Sequence, residues 1–261
     1  MNPTTPALEA HELTVTYDHT RTVVNGVSIE VRRGSFTVIL GPNASGKSTV
    51  LRALARVLHP ASGEVRFDGR AIADYGSKEL ARQLGLLPQD AIAPEGMRVV
   101  DLVSRGRHPH HTPLRRWSAE DDEATRRALE ATRTSDLAQR RVDELSGGQR
   151  QRVWVALLLA QQTPVLLLDE PTTFLDISHQ YELLDLLRTL NDEGKTIVAV
   201  LHDLNQAARY ASDLILMQDG QVAGTGSPQE LLTAERIRDV FGLDALVVPD
   251  PVTGTPMVIR R

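Results

Sequence analysis

Nine consecutive residues, Gly41, Pro42, Asn43, Ala44, Ser45, Gly46, Lys47, Ser48 and Thr49, fit the pattern G-x-x-x-x-G-K-[S/T]. Glycines let the backbone wrap an anion so that its N–H groups converge on phosphate oxygens, and the helix that follows adds its positive end. Within such a loop the Lys47 ammonium reaches the β- and γ-phosphates, the Ser48 hydroxyl coordinates Mg²⁺ and Thr49 lies near the α-phosphate. A second group, Asp169-Glu170, ends the apolar run Val165-Leu166-Leu167-Leu168. Asp169 is expected to hold Mg²⁺ directly or through water, and Glu170 to act as general base on an attacking water. His202 ends another apolar run, Thr196 to Leu201, and Gln89 follows Leu86-Leu87-Pro88. His202 is expected beside the γ-phosphate, and Gln89 at Mg²⁺ or water next to a mobile segment. Tyr17 is an aromatic able to stack on adenine, with a core tyrosine as the alternative. Leu145, Ser146, Gly147, Gly148 and Gln149 form a further motif about a hundred residues after the loop. Together these residues point to ATP binding and hydrolysis with Mg²⁺.

The elements that must carry them follow from patterning. Val38-Ile39-Leu40 reads as a strand into the loop, and Thr49 to Leu58 as a helix out of it. Short, continuously apolar strands suit a parallel sheet covered on both faces, with ligands beyond the carboxyl ends of the strands. Residues 11–38 alternate and turn at Arg33-Gly34, which predicts an antiparallel β-subdomain. Residues 91–144 change character: Pro, His and Arg are frequent to about 117, then a helix begins where Ser118 and Asp121 form a capping box. This segment is expected to be an inserted helical subdomain. A C-terminal helix from Gln229 to Val240 and an extended tail close the chain. The fold class is therefore α/β: a phosphate-loop NTPase core with a mainly parallel sheet, an N-terminal antiparallel β-subdomain and an inserted α-helical subdomain. One domain spans 8–245, its β-subdomain and nucleotide core at 8–90 and 160–245, its helical part at about 91–159, with a tail at 246–261.

His108, His110 and His111 invite a metal site, but the Pro-rich loop around them predicts no regular geometry and no carboxylate is spaced to join them. A solvated or partner-facing loop is the expectation. Trp154 is expected to pack within its helix, and Trp117, beside Arg115-Arg116, to be an apolar anchor ahead of the next helix.

With 261 residues, 41% hydrophobic and 24% charged, the chain has an ordinary globular composition. A net charge of −5 argues against broad contact with nucleic acid. Cysteine is absent, which excludes a disulfide framework and thiolate metal sites. The N-terminal Met-Asn-Pro-Thr-Thr-Pro-Ala has neither basic nor apolar regions of a signal peptide. The longest apolar run, Val153 to Ala160, is far short of the ~20 residues that span a bilayer.

In this order, the loop at 41–49, Gln89, the motif at 145–149, Leu166 to Glu170, Phe174-Leu175-Asp176 and His202 resemble the ATP-binding subunits of ABC transporters over nearly the whole chain. The resemblance implies a head-to-tail pair of identical subunits. The signature Leu145–Gln149 of one, led by Ser146 and Gly148, then closes over the ATP of the other, with Asp176 in the adjoining loop. It also implies transmembrane permease subunits as partners, reached through Gln89 and the helical insertion, and indirectly a substrate-binding protein. The chain would then lie at the cytoplasmic face of a bacterial inner membrane, held through the permease.

A finer resemblance rests on Arg105-Gly-Arg-His-Pro-His, Arg116-Trp117, Thr172 to Gln180, His202 to Ala207 with Arg209-Tyr210, and the ending Asp250-Pro-Val-Thr-Gly-Thr-Pro. These are similar to the ATPases of ferric-siderophore importers, of the ferric-enterobactin and ferric-citrate type. That group also includes haem and vitamin B12 importers, which share every catalytic residue. Soluble ABC ATPases acting on DNA or ribosomes usually carry two cassettes, a coiled-coil insertion or a basic surface. This chain has one cassette, no heptad run and a negative charge.

Overall fold

The computed structural model describes residues 5–18, 20–111 and 117–261; Arg115, Arg116 and the first four residues fall outside these. The chain divides into two compact units, residues 1–74 with 194–261, and residues 75–193.

In the first unit, the alternating segments form the long strands Leu8–Tyr17 and Arg21–Val31, paired antiparallel with irregular register after Ala10. Strand Ser62–Phe67 joins the other edge of Leu8–Tyr17. The strand entering the phosphate loop, Phe36–Leu40, is buried at all five positions. It pairs in parallel with Thr196–Val200 on one side and Asp213–Gln218 on the other. Its neighbour Thr196–Val200 is equally buried, as a strand covered on both faces requires. The loop helix runs from Lys47 to Leu54. It stops short of the expected Leu58 because Arg56 takes a left-handed φ of 56°, which a helix interior does not accept.

The C-terminal region departs from expectation in two ways. The span expected to be one helix is two, Pro228–Leu231 and Ala234–Phe241. Thr233 separates them, its hydroxyl accepting the Arg236 N–H at 3.2 Å and so starting a new helix. The tail is not merely extended: Ala245–Pro249 and Pro256–Arg260 pair as an antiparallel hairpin.

In the second unit, strands Leu84–Leu87 and Val165–Asp169 run parallel. Helices Val99–Ser104, Ala119–Ala131 and Gly147–Ala160 surround an apolar cluster that includes Val99, Val103, Leu129, Val153 and Ala156. Trp154 packs against this cluster, as expected. The segment Arg105–His110 is a 3₁₀ helix rather than an irregular loop. One backbone carbonyl and one ring of it are tied down: Arg82 donates to Pro109 O at 2.8 Å, and His110 Nε2 lies 2.9 Å from Gln161 O. Among the described residues no cluster of three or more His, Cys, Asp or Glu could hold a metal. None of their helices is long and apolar enough to cross a membrane.

Helix Ala119–Ala131 begins at Ser118, whose backbone N–H and hydroxyl both donate to the Asp121 carboxylate at 3.0 Å. The same carboxylate, fully buried, accepts Arg107 Nε at 2.9 Å and faces His111 Nε2 at 3.3 Å. Arg107, 1% exposed, also donates to Ala160 O and Gln162 Oε1 at 2.9 and 2.7 Å. Burial pushes the Asp121 carboxyl up, but the hydrogen bonds from Arg107, Ser118 and His111 outweigh it and hold it far below its usual range. Trp117 donates its indole N–H to Asp122 at 2.7 Å and meets His111 edge-on, ring centroids 5.4 Å apart.

Candidate nucleotide site

Parallel register places the first unit's site residues. Strands Phe36–Leu40 and Thr196–Val200 pair up to Ile39 and Val200, and the Leu201 N–H donates to Ile39 O at 3.4 Å. The loop and the histidine thus follow the carboxyl ends of adjacent parallel strands. At Gly41 an added Cβ would lie 2.1 Å from Met217 O and 2.7 Å from Ser45 Oγ, so only glycine fits. Gly46 starts the helix at φ 96°, which L side chains rarely adopt. Lys47, 5% exposed, donates its ammonium to Gly41 O and Pro42 O at 2.9 and 2.8 Å. These two carbonyls draw the ammonium back along its own loop. Ser45 Oγ is buried with no hydrogen-bond partner among the described residues. Thr49 Oγ1 lies 3.4 Å from the Tyr17 hydroxyl, so Tyr17 sits at the loop helix rather than in a distant part of the unit.

The second unit uses the same device. Leu87 is the register partner of Leu168, so Pro88 comes level with Asp169 and Gln89 with Glu170. Gln89 Nε2 donates to Glu170 Oε2 at 2.9 Å, and Thr173 Oγ1 donates to the same oxygen at 3.4 Å. Asp169 is fully buried at the strand end. Glu170 follows it with a left-handed φ of 52°.

The motif at 145–149 is a helix start. Ser146 Oγ accepts the Gln149 N–H at 3.3 Å, while Gln149 Oε1 accepts the Ser146 N–H at 3.2 Å, a reciprocal capping box. Ser146 and Gly147 remain exposed, which leaves the helix N-terminus open to an anion. A Cβ on Gly147 would come within 3.3 Å of Phe174 Cβ, and one on Gly148 within 3.3 Å of Leu175 Cδ2. Two small residues therefore let the loop ending at Asp176 approach this helix start. Asp176 caps the helix Ile177–Asp192, its carboxylate accepting His179 N at 3.0 Å, Ser178 Oγ at 3.0 Å and His179 Nδ1 at 2.6 Å. Those contacts hold its carboxyl below the usual range, the backbone N–H of His179 first among them. Gln151 donates to Pro171 O at 3.0 Å, a second tie from the signature helix to the segment after Glu170.

Several of these contacts had no signal in the sequence. Thr173 and Gln151 reach their partners through folding alone. Asp203, read only as the neighbour of His202, caps the helix Leu204–Tyr210 by accepting Asn205 and Gln206 N–H groups at 2.8 Å. An N-cap aspartate before Leu204 was a legible signal.

A profile of the ABC transporter family matches residues 24–173. The chain belongs to that family and is an ATP-binding domain of it. Among curated relatives, it is 50% identical to the ferric enterobactin transport ATP-binding protein FepC of Escherichia coli strain K12, over 99% of this chain and 96% of that one. It is 47% identical to the petrobactin import ATP-binding protein FpuD of Bacillus anthracis, covering 97% and 93%. Among solved structures, the dimeric bacterial ABC transporter cassette MJ0796 superposes with a TM-score of 0.77 at 29% identity, covering 84% of this chain and 98% of that one. The α/β fold read from the motifs, with its antiparallel N-terminal sheet and helical insertion, is that of these cassettes.

Proposed function

We propose that this chain is the ATP-hydrolysing subunit of a bacterial importer of ferric siderophores, working as a head-to-tail pair on transmembrane permease subunits at the cytoplasmic face of the inner membrane. The observation that carries the cargo is the near-full-length likeness to siderophore-import ATPases, since no residue of an ATPase touches the chelate. A substrate-binding protein would deliver the chelate to the permease.

Each residue has a role in this reading. The backbone N–H groups of the loop Gly41 to Thr49, Pro42 excepted, cradle the phosphates, Lys47 leaves its two carbonyls to meet the β- and γ-oxygens, and Tyr17 stacks on adenine. Asp169, a buried carboxylate, the Ser48 hydroxyl and the Gln89 amide oxygen would supply hard oxygen donors of the kind Mg²⁺ takes. The metal, when bound with nucleotide, supplies neutralisation of phosphate charge. Glu170, oriented by Gln89 and Thr173, takes the proton of the attacking water. His202 donates to the γ-phosphate from beside the loop. Leu145 to Gln149 of the partner copy, with Ser146 and the Gly147 and Gly148 amides foremost and Asp176 alongside, completes the enclosure and excludes water.

The test is uptake of radiolabelled ferric siderophore in a deletion strain complemented with wild type or Glu170→Gln, with haem and cobalamin followed in parallel. Loss of ferric-siderophore uptake alone, restored only by wild type, supports the reading. Intact iron-chelate uptake with loss of haem or cobalamin overturns the cargo.

A further inference from the structure

The hairpin that ends the chain is fastened to the helix that begins just after His202. Helix Leu204–Tyr210 has only seven residues, too few for stability of its own. Its start is capped by Asp203, and its first exposed side chain, Asn205, grips strand Pro256–Arg260. Asn205 Oδ1 accepts the Val258 N–H at 2.7 Å, and Asn205 Nδ2 donates to Val258 O at 3.2 Å. A primary amide has the donor–acceptor layout of a peptide group, so Asn205 takes the place of a neighbouring strand at one rung of the hairpin's outer edge. That edge would otherwise present unpaired backbone groups at this position.

Between the two hairpin strands lies a built loop centred on Asp250, whose carboxyl is held below its usual range, first of all by the Val252 and Thr253 backbone N–H groups. Asp250 in turn organises the hairpin loop, its carboxylate accepting those N–H groups at 2.8 and 3.0 Å. Its backbone carbonyl accepts Gly254 N–H at 2.8 Å, with Gly254 at φ 72°. The ending Asp250-Pro-Val-Thr-Gly-Thr-Pro is thus a built loop that fixes the two strands of the hairpin to each other.

We propose that Asn205 is a positioning residue for hydrolysis: by clamping the hairpin edge it fixes the helix whose capped start carries His202, and so fixes where the imidazole stands beside the phosphate loop. The proposal rests on the reading of His202 as a γ-phosphate donor. On one side His202 is held by a fully buried strand; on the other, the short helix buries Gln206, Ala207, Ala208 and Tyr210, starts on the Asp203 cap and is pinned on its exposed face by this clamp. Asn205 is the second residue of the helix, so releasing the clamp frees the end of the helix next to His202.

Asn205→Ala in the full chain is expected to lower kcat about tenfold, within the range that displacements near 1 Å produce. KM for ATP and the Kd of a fluorescent ATP analogue should stay within about twofold. Asn205→Asp, which keeps the shape but removes the donor to Val258 O, should behave like the alanine variant. Val258→Pro removes the N–H from the other side, and combining it with Asn205→Ala should add no further loss, since both break one contact. Wild-type kcat per bound nucleotide in Asn205→Ala, with only a lower melting temperature, would show a purely structural clamp and overturn the proposal. His202→Ala, run beside it, separates the two readings. If that variant is slow and Asn205→Ala is not, the clamp fails alone; if His202→Ala keeps wild-type kcat, the role of His202 fails and the clamp's purpose with it.

Discussion

Replacing Asp121 by alanine tests the buried polar knot that ties the 3₁₀ segment Arg105–His110 to the signature helix. The carboxylate accepts Arg107 Nε and two groups of Ser118, and faces His111, all within 3.3 Å. Arg107 is 1% exposed and would keep two neutral acceptors, Ala160 O and Gln162 Oε1, with no counter-charge. Breaking a buried pair by removing one partner costs about 3–5 kcal/mol, because the remaining charge stays desolvated. Asp121→Asn should cost about half that, since shape survives and only charge-assisted bonds of about 1.5–3 kcal/mol are weakened. Two units make whole-chain unfolding unsuited to a single ΔG, so the probe should be local. Trp117 contacts His111, and in a Trp154→Phe background its fluorescence reports this region during urea titration. The sign of the pH dependence follows from the depressed folded pKa. Asp121 stabilises the fold fully above its unfolded value near 3.8, and that contribution drains away as pH falls below it. The gap between wild type and Asp121→Ala should therefore be full at pH 7 and shrink in acid. A gap under about 1 kcal/mol at neutral pH, or one that widens in acid, would refute the reasoning.

Two further outcomes concern the nucleotide site. Gly41→Ala should abolish measurable ATP binding by calorimetry, since its methyl would stand 2.1 Å from the Met217 carbonyl in backbone that cannot easily yield; retained affinity would contradict the tight approach. Gln89→Ala should lower kcat roughly tenfold to a hundredfold with little change in ATP affinity, because it unties the Glu170 carboxylate proposed as the base. A change confined to KM would remove Gln89 from the orientation of the base.

The sequence made legible those features whose signals are local. The loop at 41–49 ahead of its helix, the capping box of Ser118 and Asp121 and the carboxylates ending an apolar strand each lie within a few residues of one another, and the structure has each element where its pattern predicts it. What escaped depends on pairing across the chain. Arg107 finds Asp121 fourteen residues on, and Asn205 finds Val258 fifty-three residues on; neither partner is implied by spacing. A single C-terminal helix from Gln229 to Val240 overlooks the Thr233 cap, which divides the segment in two. The contact of Gln89 with Glu170 lies between these cases: it follows from strand register, which apolar runs suggest but do not specify.

Glu170 takes a left-handed backbone conformation, a state that costs a non-glycine residue on the order of 1 kcal/mol and glycine almost nothing. On backbone grounds alone glycine is the better occupant, although it gives up the ties to Gln89 and Thr173. The glutamate holds its place against the conformational preference of its own backbone, so under the proposed role of Glu170 as general base the position is one where durability and turnover pull in opposite directions, and thermal selection of variants without an activity screen would drift away from turnover.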